Sequence, residues 1–127
     1  IIHCAWKVDF NHHLPGFEAD LAGVRSLAEV AVRSRKTPKL YFITSFSASF
    51  GYEGVSVPEV PLDCKIGHAL SQGYAVSKLA AEYILYGLRD RYPGRFALGI
   101  VRVGQICGDS RSGGWNTNEM IPMVLRS

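Results

Sequence analysis

Apolar positions along this chain follow two rhythms that alternate. Ile1 to Ala5, Leu40 to Ile43 and Phe96 to Val101 are short runs with no polar alternation, the pattern of strands buried on both faces of a parallel sheet. Between the first two runs, Phe17, Leu21, Val24, Leu27, Ala28 and Ala31 recur at helical spacing. The basic cluster from Arg33 to Lys39, with Pro38 inside it, closes that helix and suits the negative end of its dipole. A second helix is predicted from Tyr74 to Tyr92, with Val76, Leu79, Ala80, Tyr83, Ile84 and Leu88 on one stripe and Pro93-Gly94 as the stop. The stretch 51–73 holds Pro58, Pro61 and several glycines and reads as a long loop, a kind of segment that in small domains is usually functional. After the third run come a glycine-rich segment, Gly104 to Gly114, and a short amphipathic piece from Glu119 to Leu125. Nothing repeats, and no linker divides the chain, so residues 1–127 are expected to be one domain.

Strands joined by helices of this length imply right-handed crossovers and an α/β fold with a parallel sheet. In such sheets the ligand site lies beyond the carboxyl ends of the strands. Those ends are Cys4-Ala5, Thr44-Ser45 and Arg102-Val103-Gly104.

One pair of side chains should emerge on that same edge. Tyr74 and Lys78 stand four apart at the start of the second helix, so both face one way. A phenol with an ordinary pKa of about 10 is a weak acid at neutral pH, and a nearby cation favours its anion. Tyrosine and lysine at this spacing can therefore act as a proton donor and its activator, as reduction of a carbonyl requires.

Composition narrows the class further. The chain is 47% apolar and 20% charged, enough to build one core and far from the disordered range. It has no apolar run of about 18 residues and no signal-peptide pattern at Ile1-Ile2-His3-Cys4, so no membrane role is expected. Cys4, Cys64 and Cys107 are odd in number and widely spaced, which argues against a disulfide framework and for a reducing, cytoplasmic setting. Cys4 is expected to be a small buried thiol. No C-x-x-C or H-x-x-x-H spacing suggests a metal, and a dispersed net charge of +3 does not suggest nucleic acid.

The ordered motifs resemble those of the extended short-chain dehydrogenase/reductases. "IIHCAW" looks like the family's H-N-A-A strand end, "FITSFS" like the strand carrying its catalytic Ser or Thr, "YAVSK" like Y-x-x-x-K, and "VRVGQICG" like the R-x-x-x-[VI]-x-G strand. More narrowly, "AWKVDFN", "GYAVSKLAAE", "RVGQICGD", "GGWNTNEMIP" and "LRS" are similar to thioester reductase domains at the ends of fungal nonribosomal peptide synthetase-like and polyketide synthase-like enzymes. The resemblance covers nearly the whole chain.

It implies a Rossmann-type doubly wound sheet and an NADPH-dependent reduction that releases an acyl chain from a phosphopantetheine carrier domain as an aldehyde or alcohol. Carried over residue by residue, Tyr74 protonates the carbonyl oxygen. Lys78 holds the nicotinamide ribose and lowers the Tyr74 pKa, and Ser45 donates to the same oxygen. A shift of two would give that last role to Ser47, otherwise a substrate contact. Backbone at Cys4, Ala5, Val103 and Gly104 would line the cofactor groove, with Gln105 near substrate. Two departures qualify the match. The family's G-x-x-G-x-x-G turn, which cradles pyrophosphate at a helix N-terminus, is absent, and Cys4 stands where the family usually has Asn. The chain is therefore expected to be the C-terminal part of such a domain, inactive and unable to bind NADPH when isolated. Another extended reductase, epimerase or dehydratase, or a non-catalytic remnant, would share parts of this pattern.

Overall fold

A computed structural model of the chain describes residues 1–63, 65–69 and 71–127. Three parallel strands, β1 (Ile2–His3), β2 (Lys39–Ser45) and β3 (Ala97–Val103), form a sheet in the order β1-β2-β3. Helix α1 (Glu18–Arg33) connects the first two strands and α2 (Gly73–Arg91) the second and third, with α3 (Met120–Arg126) at the end. The α/β alternation read from the pattern is thus the observed order, with parallel crossovers. Cys64 lies outside the described residues.

The strand boundaries moved for identifiable reasons. β1 is two residues long instead of five: after His3 the chain leaves the sheet, and Trp6 turns inward against Phe42, ring centres 5.5 Å apart. β3 runs on to Val103 because its pairing with β2 continues to Ser45 opposite Val103. α1 starts at Glu18, since Leu14–Phe17, with Pro15, forms a 3-10 turn ahead of it. The stop after α2 is as expected: Tyr92-Pro93-Gly94-Arg95 makes a turn closed by Arg95 N–H to Tyr92 O at 3.2 Å. Gly94 takes a φ of 75° there, a conformation natural to glycine alone.

Within this chain the sheet is covered on one face. Along β2, Leu40, Phe42 and Thr44 are buried while Tyr41 is exposed, so the strand alternates as one does with a single covered face. Ile2 is 71% exposed, and no residue of β3 is fully buried. Both helices pack on the Leu40-Phe42-Thr44 face. Val24, Ala28 and Ala31 of α1 meet Leu40, Phe42, Ala81, Leu85 and Phe96 there, and the alanines let the two helices approach closely. Each large side chain fully buried in this layer contributes roughly 1.5–3 kcal/mol.

A second cluster, Ala48, Leu62, Ala69, Ala75 and Leu79, fastens the long loop to α2. Tyr83 Oη donates to Asp63 O at 2.6 Å, and Asp63 binds both His68 and Lys65. Gly51 is required where it stands, because a Cβ would overlap the Gly67 carbonyl oxygen. Leu62, His68 and Ala69 anchor the loop, while Glu53 to Val57 stand in solvent.

Candidate active site

The site is built around the first turn of α2. The segment between β1 and α1 crosses over this turn so closely that a Cβ on Gly73 would overlap the His12 carbonyl oxygen. That crossing delivers aromatic neighbours to Tyr74: Phe10 lies edge-on at 5.1 Å between ring centres and Phe17 at 6.3 Å. Burial lifts the Tyr74 phenol above its ordinary pKa, and a hydrogen bond with Ser45 opposes the rise. Lys78 is not what sets this value, so the expected depression by the lysine is absent from this arrangement.

Ser45 ends β2 and begins a 3-10 turn, Phe46–Ser49. Its Oγ accepts from the Ser47 backbone N–H at 3.2 Å and from Ser47 Oγ at 2.9 Å. With Ser47 donating to it, the Ser45 hydroxyl keeps its own proton free to donate, with the Tyr74 phenol within its influence. Ser47, Ser45 and Tyr74 thus bring three hydroxyls to one edge of the sheet.

Lys78 shares the helix face with Tyr74, as its spacing required, yet it points under the site. It is 3% exposed, its Nζ donates to Ile43 O at 2.9 Å, and it lies 5.8 Å from the Tyr74 ring centre. Desolvation brings its pKa down to about 8, against the opposing charges of Asp20, Cys4 and Glu82.

A cleft of about 880 Å³ opens at this edge of the sheet. Ser45, Ser47, Tyr74, Gly104 and Gln105 line it, together with Phe46, Phe50 and Trp115. Lys78, Cys4, Ala5 and Val103 are not in its wall. Val103 lies beside Ser45 in register on the neighbouring strand. Cys4 is exposed, contrary to the buried thiol expected, because the chain has already left the sheet. Gln105 Nε2 donates to the Ile106 carbonyl at 3.1 Å.

Two features escaped the sequence reading. Glu82 continues the Tyr74-Lys78 stripe by one more turn and binds Arg102 of β3 with both oxygens, at 2.6 to 3.2 Å, out of contact with water. Extending the i+4 stripe would have found it. The other is Trp6, whose indole N–H donates to Ser77 Oγ at 3.2 Å. Among the described residues no group of three or more His, Cys, Asp and Glu could hold a metal ion, and no helix is long and apolar enough to cross a membrane.

A parallel sheet with hydroxyls converging on a cleft at its carboxyl edge is the arrangement of nicotinamide-dependent reductases of the Rossmann type. The sequence matches the NAD-binding family described as male sterility protein over residues 1–127, and the chain belongs to that family. It is 34% identical over 135 residues to an adenylate-forming reductase of Aspergillus terreus, covering 99% of this chain and 12% of that protein. Similarity to the non-reducing polyketide synthase pkiA of Emericella nidulans is 32% over 131 residues, covering all of this chain and 5% of the relative. The crystal structure of the terminal R domain from the myxalamid PKS-NRPS biosynthetic pathway superposes with a TM-score of 0.80 at 25% identity, over 98% of this chain and 31% of that one. The chain thus spans a small part of the length of the relatives it matches. By family it is an NAD-binding sequence.

Proposed function

We propose that this chain carries the proton-donating half of a site for NADPH-dependent reductive release, in which an acyl thioester on a phosphopantetheine carrier becomes an aldehyde or, after a second reduction, an alcohol. The observation that supports it best is the convergence of the Ser47, Ser45 and Tyr74 hydroxyls on the cleft. The donor chemistry suits a nicotinamide: neutral hydroxyls converge beside Gly104, where a Cβ would meet nothing within 4 Å, so backbone is open to a flat ring. The cofactor, when bound, supplies the hydride.

The chain's own residues supply the rest. Tyr74 gives its proton to the carbonyl oxygen, and the phenol kept neutral by burial is in the right form to do so. Ser45 donates a hydrogen bond to that oxygen as negative charge gathers on it. As the carbon-sulfur bond breaks, the new hydroxyl returns its proton to the Tyr74 phenolate, the carbonyl re-forms, and the carrier sulfur leaves as a thiolate that takes a proton from water. Lys78 supplies positive charge beneath Tyr74, and its contact with the ribose requires its ammonium to swing from the Ile43 carbonyl toward the cleft. We assign the groove for the nicotinamide to backbone at Cys4, Ala5, Val103 and Gly104, and a substrate contact to Gln105 and Ser47.

The test is Tyr74→Phe, which keeps the ring between Phe10 and Phe17 and deletes the proton donor. In protein that also carries the glycine-rich first half of the domain, and with an acyl-pantetheine thioester, NADPH oxidation should fall by at least about a hundredfold, the range for general acids, with NADPH affinity retained. Undiminished turnover would refute the assignment. Replacing NADPH by NADH in the same assay decides cofactor choice.

A further inference from the structure

The cleft explains Tyr74 and the serines and leaves open what holds Lys78. Its ammonium has shed its water, and the groups in contact with it are the Ile43 carbonyl at 2.9 Å and two aromatic faces, Trp6 at 4.5 Å and Phe42 at 4.9 Å from ring centre. The charged and titratable groups facing it come from several elements: Asp20 of α1, Tyr74 and Glu82 of α2, His3 of β1 and Cys4 just after it. None of the acids forms an ion pair with it among the described residues. Asp20 accepts from the Lys7 backbone N–H at 3.1 Å, and Glu82 is bound by Arg102.

Trp6 itself is fixed on several sides. Its N–H donates to Ser77 Oγ, His3 meets it edge-on at 6.5 Å, and Phe42 lies at 5.5 Å. Ser77 Oγ in turn donates to Tyr74 O at 2.7 Å. We propose that Trp6 is a positioning residue: its indole face holds the Lys78 side chain, as a cation, beneath Tyr74, and its N–H fixes through Ser77 the helical turn that presents Tyr74. An indole face carries negative potential and attracts a desolvated ammonium more strongly than any other aromatic side chain. Its consequence for turnover rests on the reductase reading above, whereas its effect on Lys78 does not.

The experiment therefore follows Lys78 directly. In protein carrying lysine labelled at Cε, the NMR signal of Lys78, assigned by its loss in Lys78→Arg, is titrated without cofactor. The wild-type midpoint should lie near the depressed value of about 8. Trp6→Leu should bring it down by about one further pH unit, and Trp6→Phe, which keeps a weaker aromatic face, by about half as much. The alkaline limb of NADPH oxidation against pH should move with it. An unmoved midpoint in both variants, or equal falls in both, would overturn the proposal, as would a falling midpoint with an unmoved limb. Should Trp6→Leu fail to fold, Trp6→Phe decides alone, and an unmoved midpoint there refutes it. Because the titration requires no reduction, its result stands apart from that of Tyr74→Phe.

Discussion

Breaking the Glu82-Arg102 pair should be among the most damaging single changes available in this domain. Glu82 has no exposure and Arg102 is nearly enclosed, with three contacts between 2.6 and 3.2 Å. Arg102→Met removes the only partner shown for the Glu82 carboxylate among the described residues and leaves that carboxylate enclosed. Removing one member of a buried pair costs about 3–5 kcal/mol, mostly the desolvation of the charge left behind. Against a total stability of about 5–15 kcal/mol for a single domain, that is a large share. The exposed Arg25-Glu29 pair of α1, at 3.0 Å, is the internal control, since surface pairs contribute about 0–1 kcal/mol and Arg25→Met should hardly register. Urea unfolding of wild type, both single variants and Glu82→Leu/Arg102→Met is the assay. The double variant should recover most of the loss, because two apolar side chains carry no stranded charge. A cost for Arg102→Met of less than about 1 kcal/mol, equal to that of the control, would refute the claim that this pair is desolvated.

Other outcomes follow from the same geometry. Ser45→Ala should cost about 2–4 kcal/mol of transition-state stabilisation, measured as kcat/KM, and Ser47→Ala clearly less, since Ser47 reaches Tyr74 only through Ser45. Lys78 has a folded pKa of about 8 against 10.5 unfolded, so between those values the unfolded chain binds more protons; stability should rise with pH from about 8 to about 10, and Lys78→Met should abolish the rise in thermal unfolding scans. Above about 10 the Tyr74 and Tyr86 phenols, both raised by burial, reverse the trend. Gly73→Ala should lower the melting temperature and turnover together, because the new Cβ displaces the His12 backbone and the aromatic cover of Tyr74 with it; unchanged melting would contradict the close crossing.

The parts of this molecule that depend on local periodicity were legible in the sequence. The two long helices, their basic and Pro-Gly ends and the same-face placement of Tyr74 and Lys78 follow from spacing within one element. Burial of the strands did not. An apolar run such as Leu40 to Ile43 looks alike whether one or both faces are covered, and only the placement of both helices over Leu40 and Phe42 decides it. Ile1 to Ala5 misled for a related reason: the chain turns after His3 to bring Trp6 onto Phe42, and a run of apolar letters does not record that turn. Direction was the other hidden quantity. Spacing put Lys78 on the Tyr74 face, but the carbonyl of Ile43 and the indole of Trp6, distant in sequence, determine where its ammonium rests.

The burial of Lys78 also sets function and folding against each other in the history of such domains. A lysine kept nearly dry, with its charge disfavoured, is a burden on the folded state, and replacing it with methionine should make the protein more robust at neutral pH while disabling the chemistry. On the role proposed for Lys78, selection for the reaction would be what keeps a lysine there. Where a lineage carries a copy of this domain but has ceased to use it, position 78 should be among the first to change, ahead of Glu82 and Arg102, whose loss the fold itself resists.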